Sequence, residues 1–285
     1  MENNASVIKK IEANSFSLTV YIDPFNKRVR IDDYLGNLEQ VITQVESIVV
    51  ETKAEKLIFK VRNEHFDQFL VHGFCCEGKL DGYFLGSDAY FFTKYYHNQR
   101  RNSEEWISDD EMISKVKKLS KSLLDLHAPS GLTLKKVTLS DIEKLAVLYR
   151  EVFPIYPTPL HDPEYVKKTL EEGTIYYCFQ EKEKLISAAS AEVNVFYKNA
   201  ELTDCATLVS HRKHGLMKFL LQRLEEELRK VGIYCAYSLA RSKSYGMNAV
   251  FHQLGYTYRG RLTNNCYIYE KLENMNIWSK DLSGY

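Results

Sequence analysis

The sequence predicts an α/β (α+β) protein built on a mixed sheet and made of two related halves. Three observations predict it. Strand-like alternations and helix-period segments interleave along the chain, with neighbouring strands that form hairpins, the pattern of a mixed sheet. The frame FLVHGFCCEGKL, ending at Leu80, returns as FHQLGYTYRGRL, ending at Leu262. Phe69, Gly73, Phe74, Gly78, Lys79 and Leu80 are matched by Phe251, Gly255, Tyr256, Gly260, Arg261 and Leu262 at a constant offset of 182 residues. Solenoid periods run at roughly 20–50 residues, so this spacing marks two folded units. Pro129, Ser130 and Gly131 punctuate the chain between them and divide it into 1–128 and 129–285.

The first half opens with the alternating strands SFSLTVYID and KRVRIDDY, followed by a helix over LEQVITQVESIVVETKA with apolar residues at helical spacing. KLIFKVR is a short strand, NEHFDQFLVHG a brief helix closed by Gly73, and FCCEGKLDGYF and AYFFTKYY two further strands. After the polar HNQRRNSEE, Ser108 and Glu111 have the spacing of a capping box, which starts a helix that ends near His127.

The second half begins with the strand TLKKVT and a helix from a second capping box, Ser140 and Glu143, to Phe153. The proline-rich PIYPTPLHDP leads to the helix EYVKKTLEEG. Strands IYYCFQ, LISAASAEVNV and AELTDCATLV follow, then the turn HRKHG and a long helix from Leu216 to Lys230. Strand YCAYSLA, helix SYGMNAVFHQLG and strands YTYRGRL and CYIYEKL complete the chain.

At 285 residues and 45% hydrophobic content, each half can bury a core. Lys plus Arg equals Asp plus Glu at 38 each, so the field gives no reason to expect nucleic acid or an anionic membrane as partner. No apolar run approaches the roughly 20 residues of a membrane span or forms a signal peptide, and a cytoplasmic protein is expected. The six cysteines form no CxxC and read as buried thiols. His211 and His214 lack a third ligand nearby, so no metal is expected.

Chemistry concentrates in TLVSHRKHGLMKFLLQRLEEEL, where an apolar strand runs through a basic turn into a helix with Leu216, Phe219, Leu220, Leu224 and Leu228 on one face. The first helical amides lack intrahelical acceptors, the helix dipole adds partial positive charge, and Gly215 allows an anion close to the backbone. Arg212 and Lys213 add charge. An ordinary basic turn is the plainer reading of these residues alone.

With this turn and the element order from Leu132 to Leu272, the chain resembles the GNAT family of N-acetyltransferases, whose coenzyme loop reads Arg/Gln-x-x-Gly-x-Gly/Ala. Here it reads Arg212, Lys213, His214, Gly215, Leu216 and Met217, with Met217 where the pattern has a small residue. The resemblance implies acetyl-coenzyme A as cosubstrate, with its pantetheine arm on amides near Leu208 and Val209, and with Ser244 and Asn248 beside it. The family's Phe/Tyr-x-x-x-Gly-Phe/Tyr frame falls at Phe251, Gly255 and Tyr256. Its earlier copy lacks the basic turn upstream, so the first half resembles a degenerate half of the same fold with no coenzyme site.

Removing the amine's proton needs a base, because an alkyl ammonium near pKa 10.4 is neutral in only about one molecule in 10³ at pH 7. Glu201 and Asp204 are candidates, and their odd spacing puts them on opposite faces of a regular strand. The frame Ala200-Glu201-Leu202 resembles the base position of the histone acetyltransferase branch and favours Glu201, with Asp204 the alternative. The family's usual tyrosine acid is replaced by Phe251, which leaves Tyr245, Tyr267 or solvent.

The loop YREVFPIYPTPLHDPEY stands where the family covers its acceptor, and Tyr156, His161 and Asp162 are its polar groups. Asp162 also suits a cap of the helix after it. EVFPIYPTPLHDP, AELTDCATL, SYGMNAVFHQLGY and ENMNIWSK resemble the β-lysine N6-acetyltransferase branch. That resemblance implies transfer to the terminal amine of (3S)-3,6-diaminohexanoate, giving a compatible solute used in osmoadaptation, downstream of a lysine 2,3-aminomutase. Arg241, Asn248 and Asn265 are available for the acceptor's carboxylate. Another small amine, a protein lysine, and a non-catalytic acyl-coenzyme A module stay open, as does a homodimer.

Overall fold

The computed structural model describes residues 6–121, 129–153, 158–268 and 271–284. The first half folds as β1 (Val7–Glu12), β2 (Phe16–Asp23), β3 (Arg28–Gly36), α1 (Leu38–Thr52), β4 (Lys56–Arg62), α2 (Phe66–Val71), β5 (Cys75–Phe84) and β6 (Ser87–Tyr95). Helices α3 (Asn98–Arg101) and α4 (Trp106–Lys117) lead to the second half. There, β7 (Thr133–Lys136), α5 (Ile142–Val152) and α6 (Pro163–Glu171) precede β8 (Ile175–Glu181), β9 (Lys184–Asn194) and β10 (Asn199–Thr207). The chain ends with α7 (Leu216–Lys230), β11 (Cys235–Arg241), α8 (Tyr245–Gln253), β12 (Thr257–Ile268) and β13 (Lys271–Asp281).

All thirteen strands join one mixed sheet in the order β1-β2-β3-β4-β6-β5-β12-β13-β11-β10-β9-β8-β7. Outward from the centre, β5-β6-β4-β3-β2-β1 repeats β12-β13-β11-β10-β9-β8, with β7, α5 and α6 present in the second half alone. The repeated sequence frame is the joint. Gly78 pairs with Gly260, its own counterpart at the constant offset. A Cβ on Gly260 would lie 2.2 Å from the Glu77 carbonyl oxygen and 2.6 Å from Gly78 Cα; one on Gly78 would lie 2.6 Å from the Arg259 carbonyl oxygen. The two backbones cross this closely because neither residue carries a side chain.

Each half buries one sheet face under its own helix. Val41, Val45, Ile48 and Val49 of α1 pack on Leu57, Phe59 and Val61, and Leu220, Leu221, Leu224 and Leu228 of α7 enter the second core. Since side chains alternate along a strand, β4 turns Lys56, Ile58, Lys60 and Arg62 toward the other half. Ile58 meets Tyr83, Tyr197, Tyr237 and Ile277 in a third cluster between the halves.

Several expectations change. Ser108 lies inside α4, its Oγ donating to the Glu105 carbonyl, and Glu105 holds the N-cap position. The second capping box forms two residues early, between Thr138 and Asp141. YTYRGRL and CYI form one bulged strand, β12, whose hairpin partner β13 includes ENMNIWSK. β1, with its exposed VIKKIE face, carried no alternation to find it by. α4 precedes the expected boundary, yet its Ile113 and Val116 join the second half's core. The helix end near His127 lies outside the described residues. No helix is long and apolar enough to cross a membrane among the described residues.

Candidate active site

The basic turn has the geometry of an anion cradle. Gly215 caps α7 with a left-handed φ of 69°, no side chain caps the helix, and nothing lies within 4 Å of a Cβ placed on it. The amides of Leu216 and Met217 therefore start a 15-residue helix beneath open space. Lys213 is also left-handed, at φ 70°, and Arg212, Lys213 and His214 are exposed. Met217 does not obstruct the turn, because its side chain is buried in the core under α7. At the corresponding turn of the first half, Asn37 accepts from the Gln40 amide with its own side chain and so satisfies the start of α1.

β10 and β11 pair only over Asn199–Glu201 and Cys235–Tyr237, then part. A cavity of about 150 Å³ opens in the gap, lined by residues 202–205 and 238–241 with Ser244, Met247 and Phe251. The Leu208 amide is not free to face it, since it donates to the Ile186 carbonyl on β9 at 2.9 Å. By alternation, the amide of Thr207, the last residue of β10, lies on the gap side, and Val209 already begins a short 3-10 turn. The open turn, bare helix amides and unpaired strand edge fit the phosphates and pantetheine arm of acetyl-coenzyme A.

The odd-spacing argument for Glu201 and Asp204 fails at a β-bulge. The β9–β10 register slips between Thr203 and Ala206, and Asp204 takes a left-handed φ of 51°. Glu201 pairs opposite Glu192, and Thr203 opposite Ser190, so these side chains share a face. Ser190 Oγ donates to Asp204 Oδ2 at 2.8 Å, which puts Asp204 on that face too. Asp204 is buried and lines the cavity; Glu201 is half-buried where the strands are still paired.

Glu192, on the same face, carries no sequence motif and is missed by sequence reasoning. It is open to solvent, but the two halves crowd protein around it. Lost hydration and the negative charges of Glu201 and Asp204 push its carboxyl up to about 8, against the opposing pull of Arg30 and Lys60. Tyr165 of α6 faces this group, and burial, then Glu192 and Asp204, hold its phenol well above the usual range and therefore neutral. Burial and the Glu201 charge do the same to Tyr237.

Other expected site residues serve the scaffold. Asn248 is fully buried and saturated: Nδ2 donates to the Arg241 and Ser244 carbonyls, and Oδ1 accepts from Asn276 and Trp278. It has no atom left for a coenzyme or carboxylate. Asn265 is buried with its carbonyl accepting from Arg28 and Arg100, away from the cavity lining. Arg241 lines the cavity but is engaged by both oxygens of Glu273 at 2.7 Å. Asp162 caps α6 by accepting from the Glu164 amide, and His161 is exposed. Tyr245 is 46% exposed and Tyr267 packs edge-on against Phe25; neither lines the cavity. Tyr156 lies outside the described residues.

The model of the acetyltransferase (GNAT) family matches residues 142–256. The chain is 39% identical over 277 residues to the N-acetyltransferase YodP of Bacillus subtilis, covering 97% of this chain and 100% of that protein. It is 34% identical over 263 residues to a β-lysine N(6)-acetyltransferase of Methanococcus maripaludis, covering 92% and 95%. Among solved structures, an N-acetyltransferase from Staphylococcus aureus Mu50 aligns at 16% identity and a TM-score of 0.48, over 54% of this chain and 99% of that one.

Proposed function

The chain belongs to the GNAT family of N-acetyltransferases, in the β-lysine N6-acetyltransferase branch, and we propose that it acetylates the terminal amine of (3S)-3,6-diaminohexanoate. That it is an acetyl-coenzyme A-dependent N-acetyltransferase follows from the family; the acceptor is the proposed part. The observation that carries the proposal is the gathering of Glu192, Glu201 and Asp204 on one face beside the parting of β10 and β11. Three carboxyl groups suit an acceptor with more than one ammonium. The β-lysine N(6)-acetyltransferase of Methanococcus maripaludis, matched over most of both chains, supports the diamino acid.

When bound, acetyl-coenzyme A supplies the acetyl group as a thioester. The residues of the chain do the rest. Glu201 attracts and orients the incoming cationic amine, and Glu192, its carboxyl raised to about 8, offers that amine a hydrogen-bond acceptor beside it. Asp204, at the bulge and held by Ser190, is the carboxylate placed to take the proton that keeps the amine from attacking. This moves the base from Glu201 to Asp204, because Asp204 lines the cavity and Glu201 does not. Phe251 has no proton to give, and with Tyr245 and Tyr267 outside the lining no side chain is assigned as acid.

The test is purified protein with acetyl-coenzyme A and a panel of β-lysine, lysine, spermidine and a lysine peptide, followed by free-thiol release. The expected result is turnover highest on β-lysine. Turnover highest on spermidine or the peptide would reassign the acceptor while keeping the family, and coenzyme binding without thiol release would leave a binding module.

A further inference from the structure

In the first half the Asn37 side chain caps the start of α1, and the half presents charge toward the carboxyl groups of the second. Arg30 of β3 donates from Nε and Nη2 to the two oxygens of Asp32 at 2.7 and 3.0 Å. Lys60 of β4 reaches Asp32 Oδ1 at 2.8 Å and Tyr83 Oη at 3.0 Å. Asp32 is thus shared by two cations, and the group carries one net positive charge. Burial acts against the charged form of each of the three, and their mutual attraction overcomes it, so Asp32 stays well below and Lys60 well above its usual range.

This group faces the acceptor cleft. The Lys60 ammonium lies over the Tyr237 ring at 5.9 Å, and Tyr237 is the register partner of Glu201 on the adjacent parallel strand. Arg30 lies over the Tyr21 ring at 4.8 Å, which fixes its plane. Nonetheless, among the described residues no ion pair within 4 Å joins Arg30 or Lys60 to Glu192 or Glu201. The Arg30 and Lys60 cations face the Glu201 carboxylate across a gap that neither side closes. Arg30 Nη1 has no hydrogen-bond partner among the described residues, while Nε and Nη2 are held in place by Asp32.

We infer that the first half supplies the acceptor's carboxylate subsite: Arg30, oriented by Asp32 and backed by Lys60, binds the carboxylate of a short diamino acid whose far amine reaches Asp204. The inference rests on the acetyltransferase reading of the same cleft. A ligand with one carboxylate and two ammonium groups complements the arrangement, the carboxylate toward Arg30 and Lys60 and the ammonium groups toward Glu201 and Asp204, with Glu192 beside them as a neutral acceptor. The degenerate half thereby becomes the part of the enzyme that distinguishes a diamino acid from a plain diamine.

The experiment uses the full chain and two acceptors, (3S)-3,6-diaminohexanoate and 1,4-diaminopentane, which is the same skeleton without the carboxylate. Wild type should prefer the diamino acid in kcat/KM. In Arg30→Gln and Lys60→Met, checked for wild-type melting, that preference should fall by about 10- to 100-fold through KM, the scale of a charge-assisted hydrogen bond. Arg30→Lys should recover part of it. Calorimetry of diamino acid binding to the same proteins gives a readout independent of turnover. Equal losses on both acceptors, or unchanged diamino acid binding in Arg30→Gln, would overturn the subsite. A wild type that transfers to neither acceptor would sink the activity reading instead, and the calorimetric arm would still decide whether Arg30 holds the carboxylate.

Discussion

Asp204 and Glu192 carry the sharpest consequences at the level of single residues. If Asp204 removes the amine's proton, Asp204→Asn should lower kcat near pH 7 by roughly 10²–10⁴, with part of the loss recovered toward pH 10 as the free amine fraction rises. Glu201→Gln should instead act mainly on KM, since that carboxylate attracts the amine without lining the cavity. A crippled Glu201→Gln beside an active Asp204→Asn would return the base to Glu201. Glu192 predicts a pH effect on stability. Its carboxyl is raised to about 8 from an unfolded value near 4.3, so the folded chain holds a proton that the unfolded chain has released. Stability should therefore fall as pH rises from about 4.3 through 8, and Glu192→Gln should flatten that part of the dependence. Urea midpoints at pH 5 and pH 8.5 measure it; parallel curves for the two proteins would contradict the assignment. Asp204 was legible as a candidate from its strand, but its face was not. Parity along a strand holds only without a bulge, and nothing in ELTDCAT announces the left-handed residue that reverses it.

Two elements were readable almost to the residue, the helix after the basic turn and the strand before it, because a strong 3.6-residue stripe and a glycine bracket them. The turn's prediction follows from its geometry. Gly215→Val forces a β-branched residue into a left-handed conformation and puts a side chain over the bare amides of α7. Coenzyme affinity should fall by about tenfold or more, and the loss of melting temperature should reflect the left-handed strain alone, because no protein atom occupies that space. Calorimetric titration with coenzyme A checks it, and an unchanged Kd in folded protein would remove the turn from the site. Amide assignment was less legible. Leu208 and Val209 are neighbours in sequence, but the strand ends before them, and the β9 pairing that claims the Leu208 amide is a long-range fact. Asn248 likewise looks free on its helix until Trp278 and Asn276, near the far end of the chain, use up its oxygen.

The repeat at an offset of 182 residues showed that two related units exist, and the sheet shows why the matched glycines recur: they are the point where the units cross. Gly260→Ala should therefore cost more than about 3 kcal/mol, since its Cβ would lie 2.2 Å from the Glu77 carbonyl oxygen. Gly73→Ala is the control; it is also left-handed, with φ 78°, but open, and should cost only about 1–2 kcal/mol. Similar chemical-denaturation midpoints for the two variants would contradict the crossing as the tight joint. What no reading of single segments could supply is the cleft. Arg30, Asp32 and Lys60 look like surface charges on alternating strands, and they come to face Glu192 and Glu201 only because the joint turns one half toward the other. The claim that this cleft presents the far amine of a diamino acid for acetylation is tested most directly by the position of the acetyl group. NMR of the product formed from (3S)-3,6-diaminohexanoate and acetyl-coenzyme A should place it on the terminal nitrogen alone. An acetyl group on the 3-amine, or coenzyme A release with no acetylated product, would contradict it.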